Sequence, residues 1–285
     1  MIPATFDYAR ARSLDDALAA LAAKDGTKVM AGGHSLIPML RFRLAQPPKV
    51  VDIAHLAELK GIGETKDGVR IGAATTYRDL LDSALLRQRY PLLGELTEGI
   101  GDRQVRNVGT IGGGLAHADP AADMPAAMLA LDASFALRSR KGSRTVKARE
   151  FFKSAFTTAM AEDELLTDIV LPPLPAGAGT AYASFEQAAS GYPLAGAAAV
   201  VAKQGGKVTH CALALTGVGG APFLAGAGST LVGSPGDATA IAKTAEAALG
   251  GVQVRADLHA SAEYRKHLAI VMSRRALETA LARAG

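Results

Sequence analysis

The sequence predicts an α+β protein: two small α/β units, 1–57 and 58–176, followed by an α+β domain over 177–285. Three observations carry this. Strand-like apolar runs alternate with amphipathic helical runs through the first two-thirds of the chain. The stretch PPLPAGAG at 172–179 can continue neither a helix nor a central strand, so it divides the chain. Beyond it, three strand-like runs follow one another with no helix between, and two helical runs close the sequence. At 285 residues and 49% hydrophobic, the chain has the material for two or three separate cores.

In the first unit Ser13 is placed to cap a helix whose Leu14, Ala17, Leu18 and Leu21 share one face. A strand at Val29, a glycine turn and a strand over 49–53 follow. The second unit reads as strands such as 69–73 and 134–138 alternating with helices, one over 77–85. The cluster Arg138, Ser139, Arg140, Lys141 marks a solvated turn at Lys141-Gly142 between two strands, since a nucleic-acid surface needs a larger basic patch with interleaved aromatics. In the third unit 181–187, 196–203 and 208–217 form a three-stranded antiparallel sheet, and helices span 237–249 and 261–284. No internal repeat is present.

Two glycine-rich segments carry the chemistry: AGGHSLIPML at 31–40 and GTIGGGLAHADPAAD at 109–123. Each offers backbone N–H groups with little side chain in front of them, as a pyrophosphate requires, so the chain is suited to a dinucleotide. Ser35 and Thr110 add hydroxyl donors. Neither segment matches GxGxxG or GxxxxGK[ST], and Gly32-Gly33 alone also fits an ordinary turn. Asp119 and Asp123 allow two readings. On one helical face they accept from ribose hydroxyls; alternatively, Asp119 caps a helix before Pro120 and Asp123 sits in its first turn.

Cysteine arithmetic excludes several chemistries. Cys211 is the only cysteine, so the chain forms no internal disulfide, no four-cysteine zinc site and no iron–sulfur cluster of its own. In its apolar strand it reads as an inert core thiol. The six histidines form no HxH or HExxH pattern, and His34 and His117 read as loop residues beside the ligand. A net charge of +4 predicts no nucleic-acid partner. No apolar run reaches membrane-spanning length, and MIPATFDYAR lacks the pattern of an export signal, so a cytoplasmic location is expected.

The ordered set AGGHS, TIGG with Asp123 beyond it, DELLT at 163–167 and AEYRKHLAIVMSRRAL resembles the FAD-binding medium subunits of molybdenum hydroxylases, the family of xanthine dehydrogenase and aerobic carbon monoxide dehydrogenase. The resemblance covers essentially the whole chain. It implies a two-subdomain FAD-binding domain of the vanillyl-alcohol-oxidase type and a C-terminal domain like that of the carbon monoxide dehydrogenase flavoprotein. Residues Val29, Met30, Ala31, Gly32, Gly33, His34, Ser35 and Leu36 then correspond to the first FAD loop. Thr110, Ile111, Gly112, Gly113 and Gly114 correspond to the second, Asp119 and Asp123 to acidic contacts, and Ile100 and Leu166 to packing contacts. Tyr192 resembles an aromatic covering the isoalloxazine, against the plain reading of a core tyrosine at a strand edge. No residue here is implied as catalytic or metal-binding.

The implied partners are a small subunit with 2Fe-2S clusters and a large molybdopterin subunit, as a dimer of heterotrimers associated with a membrane only through the complex. Electrons would pass from the clusters through FAD to an external acceptor. Two departures from the family pattern stand out: Gly114 where many relatives have Asn or Ser, and Glu186-Gln187 where many have a lysine. Other classes that fit a dinucleotide site are a stand-alone FAD oxidase of the vanillyl-alcohol oxidase type and a non-catalytic nucleotide-binding assembly subunit.

Overall fold

The computed structural model describes residues 2–285. The first unit is a parallel sheet in the order β1 (Asp7–Arg10), β3 (Lys49–Asp52), β2 (Lys28–Met30). Helix α1 (Leu14–Leu21) provides the crossover from β1 to β2; the Ser13 hydroxyl caps it by accepting from the Asp16 amide at 3.1 Å. Its buried face is the expected one, Leu14, Ala17, Leu18 and Leu21. Helix α2 (Leu36–Arg41) follows β2.

The second unit departs from the expected alternation. Its five strands, β4 (Ile62–Thr65), β5 (Gly68–Gly72), β6 (Ser134–Ser139), β7 (Gly142–Lys147) and β10 (Leu165–Leu171), pair antiparallel throughout in the order β4-β5-β10-β6-β7. Tight turns join β4 to β5 and β6 to β7, and such turns admit only antiparallel neighbours. The turn at Lys141-Gly142 lies where expected, with Gly142 at φ +145°. The helices are gathered between β5 and β6: α3 (Tyr77–Asp82), α4 (Ala84–Arg89), α5 (Pro91–Gly99), α6 (Arg103–Val108), α7 (Ile111–His117) and α8 (Met124–Ala130). The helix expected over 77–85 ends at Asp82, because Ser83 leaves helical geometry and its hydroxyl caps α4 through the Leu86 amide. Helix α9 (Ala148–Phe151) and the hairpin β8 (Phe152–Ser154) with β9 (Thr157–Thr158) bring Phe151 and Phe152 edge-on to each other and to Phe135.

The C-terminal sheet has four strands where three were expected: β11 (Ala178–Glu186), β12 (Pro193–Gln204), β13 (Lys207–Thr216) and β14 (Phe223–Leu224). The last is two residues long behind GGAP, too short to leave a periodic signal. Helices α10 (Gly228–Leu231), α11 (Ala238–Ala247) and α12 (Ala262–Arg283) complete the chain, with Asp237 and Ser261 capping the last two. Strand β12 is covered on both faces. Ala198 and Val200 join the core of the second unit, while Ala197, Ala199 and Val201 face α12.

Arg265 on α12 is 1% exposed. It donates to the Leu194 and Gly217 carbonyls at 2.8 Å each and to Asp257 at 2.5 Å. Asp257 is held down at about 2, chiefly by the Arg265 hydrogen bond, so its contribution to stability is complete above the ordinary carboxylate range and lost as pH falls through about 2. Arg265→Ala strands two buried carbonyls and a carboxylate, and is expected to lower the unfolding free energy by about 3 kcal/mol in urea titration. A loss below about 1 kcal/mol contradicts the role assigned to this contact.

Candidate functional site

The first glycine segment is the turn from β2 into α2. Gly33 sits at φ +73°, a left-handed conformation open to glycine. Gly32 has no room for a side chain, since a Cβ would meet the Val108 carbonyl and come within 2.8 Å of the Gly109 Cα. The amides of Gly32, Gly33, His34, Ser35 and Leu36 have no hydrogen-bond acceptor among the described residues. Ser35 stands at the N-cap position of α2, yet its hydroxyl makes no cap bond and is free to donate elsewhere. Val29 and Ala31 pack against the first core, Met30 lies behind Gly33, and His34 is exposed. Five successive N–H groups without an internal acceptor over a strand-to-helix turn are donors of the kind an anion can use.

The second segment is built differently. Thr110 caps α7 by accepting from the Gly113 amide at 3.2 Å. The Ile111 amide donates to Thr75 O, Gly112 to Ala73 O and Gly114 to Thr110 O, so the first four amides of α7 are already bonded within the protein. Gly112 is needed because a Cβ would lie 2.5 Å from that of Ala73, and at Gly114 it would meet the Tyr77 hydroxyl. These two glycines permit close packing within the protein. What the segment leaves exposed is Gly113; Thr110 is buried, with its hydroxyl oxygen taken by the Gly113 amide. The two segments meet where Gly32 lies against Val108 and Gly109.

Neither reading of Asp119 and Asp123 holds as a helix. Residues 118–123 are non-helical, as Pro120 disfavours helical geometry in the residue before it. Asp119 closes a local turn by accepting from the Ala121 amide at 2.8 Å. Asp123 stands at the start of α8 without capping it, and its Oδ1 accepts instead from the Tyr182 hydroxyl at 2.5 Å. The segment is fastened to the C-terminal domain: the Thr216 hydroxyl donates to the Pro120 and Ala122 carbonyls, and the Gly217 amide to Pro120 O.

Around Asp123 the structure gathers Tyr182 and Glu186 from β11, Tyr77 from α3, and Tyr192. Burial, reinforced by Glu186, pushes Asp123 up to about 7, against the lowering effect of the Tyr182 bond. Tyr192 is 45% exposed and precedes β12, so it is no core tyrosine. It closes a tight loop in which the Gln187 side chain accepts from the Ala189 and Ser190 amides and Gly191 adopts φ +74°. Ile100 is half-buried, and its carbonyl accepts from Arg106 at 2.9 Å. Leu166 is buried in β10 beside Leu137, in the core beneath α7. Burial raises the Cys211 thiol to about 12 and keeps it unreactive.

Tyr77 and Tyr182 were not singled out by the sequence reading. The usable signal was period two along β11, which puts Thr180, Tyr182, Ser184 and Glu186 on one face. No helix of the described residues is long and apolar enough to cross a membrane.

A family model described as the FAD binding domain in molybdopterin dehydrogenase matches residues 4–174, and one described as the CO dehydrogenase flavoprotein C-terminal domain matches 180–280. The carbon monoxide dehydrogenase medium chain of Afipia carboxidovorans is 41% identical over 100% of this chain and 99% of its own length. Among solved structures, reconstituted CO dehydrogenase from Oligotropha carboxidovorans superimposes with a TM-score of 0.97 at 41% identity, over the whole of both chains. Quinoline 2-oxidoreductase from Pseudomonas putida 86 does so at 0.93 and 32% identity, over 99% of each.

Because Gly112 is fixed by packing against Ala73, Gly112→Ala is expected to destabilise the cofactor-free chain by about 2 kcal/mol. Urea unfolding of that chain checks this; an unchanged midpoint shows that the contact yields freely.

Proposed function

The chain belongs to the family of FAD-binding medium subunits of molybdenum hydroxylases, and on that premise we propose that it relays electrons from 2Fe-2S clusters on a small partner subunit, through FAD, to an external acceptor. The observation that carries the cofactor assignment is the row of five free amides from Gly32 to Leu36. Their partial positive charges and the Ser35 hydroxyl suit a pyrophosphate, which needs several donors and little steric bulk. Opposite them, Thr110 offers its hydroxyl hydrogen from a wall already fixed by internal bonds. Asp123 presents a carboxylate acceptor to a ribose or ribityl hydroxyl, while Ile100 and Leu166 supply apolar backing. Asp119 lies beside Asp123 in the same turn and adds negative charge near the cofactor's hydroxyls.

Bound FAD supplies the redox chemistry; the protein's residues bind it, orient it and limit access to it. The half-exposed Tyr192 ring is placed by its loop to lie over one face of the flavin, where it shields the face from solvent. Substrate oxidation is assigned to a large molybdopterin subunit, in a dimer of heterotrimers located in the cytoplasm. Relatives whose names refer to carbon monoxide and to quinoline share this chain's fold almost completely, in keeping with a substrate chosen elsewhere in the complex.

Gly33→Val forces a branched side chain into a left-handed backbone, with its Cβ within 2.7 Å of Ile37 Cδ1. The short turn should distort while the sheets remain, so the purified complex is expected to lack flavin absorbance and keep its circular dichroism. Stoichiometric flavin in that variant overturns the assignment of this loop. Tyr192→Ala is expected to weaken FAD about tenfold, from roughly 1.4 kcal/mol of lost stacking, and to speed reoxidation of the reduced flavin by dioxygen. Reoxidation at the parent rate removes Tyr192 from the flavin face.

A further inference from the structure

Tyr182 is a long aromatic on a strand of the C-terminal domain, yet its hydroxyl reaches across the seam to a residue of the FAD-binding part. The notch through which it passes is made by an absent side chain: a Cβ at Gly196 on β12 would collide with the Tyr182 hydroxyl and lie 3.1 Å from its Cζ. The same seam fastens Pro120 and Ala122 through Thr216, so the backbone carrying Asp123 and the donor to its carboxylate are referred to one sheet. The Tyr182 hydroxyl itself is held protonated well above its ordinary range by burial, and so remains a donor across the physiological span.

We infer that Tyr182 is a positioning residue for the cofactor: its hydroxyl occupies Oδ1 of Asp123 and fixes the orientation of that carboxyl, leaving Oδ2 for a cofactor hydroxyl. This rests on the reading of Asp123 as a cofactor contact. The groups around the carboxylate are Tyr182 and Glu186 on β11, Tyr77 on α3, Tyr192 ahead of β12 and Asp119 in its own turn; among these side chains only the Tyr182 donor favours its negative charge, with a smaller contribution from Asp123's own backbone amide. Burial already lifts Asp123 to about 7, so loss of the Tyr182 donor, the larger of the two lowering influences, moves its ionisation further up. A carboxyl that has taken up a proton has less capacity to accept from a hydroxyl, so FAD affinity must rise with pH through the ionisation of Asp123, and later in its rise when the donor is gone.

The test is fluorescence titration of the flavin-stripped full chain with FAD between about pH 5.5 and 8.5 for the parent, Tyr182→Phe and Asp123→Asn. Phenylalanine keeps the ring in the Gly196 notch, and thermal unfolding of each variant reports the fold independently. Tyr182→Phe is expected to weaken FAD about tenfold near pH 7, to recover to within about twofold at the alkaline end, and so to shift the affinity profile to higher pH. Asp123→Asn is expected to flatten the profile. A Tyr182→Phe profile that overlays the parent's, or lies below it by the same factor at every pH, overturns the positioning role. An Asp123→Asn chain with the parent's affinity and slope instead overturns the underlying reading of Asp123 as a cofactor contact.

Discussion

How Pro120–Asp123 is held decides what the site is. This short non-helical segment lies between α7 and α8, and its carbonyls are taken by the Thr216 hydroxyl and the Gly217 amide from the far domain. Gly217 is in turn fixed through its own carbonyl by Arg265, whose charge is balanced by Asp257. A chain of hydrogen bonds thus runs from the long C-terminal helix, through a strand end, to the backbone that carries Asp123. Buried carbonyls left without donors cost on the order of 1–3 kcal/mol each, which makes the arrangement all-or-none.

The same seam explains the composition of β12. A strand covered on both faces cannot alternate polar and apolar residues, and GAAAVVA at 196–202 does not. Alanine is favoured because α12 packs close to the sheet; at Gly179 in β11 a Cβ would strike the Ala280 carbonyl of that helix. Small residues here bring helix, sheet and the FAD-binding part into direct contact, and no flexible hinge separates the domains along this strand.

Much of this was legible in the sequence, and the successes share a cause. Ser13 caps the helix expected of it, and the helices expected from 237 and 261 begin where Asp237 and Ser261 cap them, because capping depends on residues three apart in the chain. The long C-terminal strands were read from their apolar runs. The failures depend on distant partners. Nothing local says that the amides following Thr110 will find Thr75 and Ala73, or that Gly112 and Gly114 face protein. Tyr182 meets Asp123 across 59 positions, and only the pairing of two domains brings them together. The antiparallel second sheet was missed because its central strand β10 comes last in sequence and is inserted between β5 and β6.

The unequal state of the two glycine segments has a consequence for the empty protein. The amides opening α7 are bonded within the protein itself, so that wall needs no ligand to fix it. The amides from Gly32 to Leu36 have no such partner among the described residues. Any ordering that a ligand brings to the two segments would therefore fall on the first, against a second already held by the protein's own bonds.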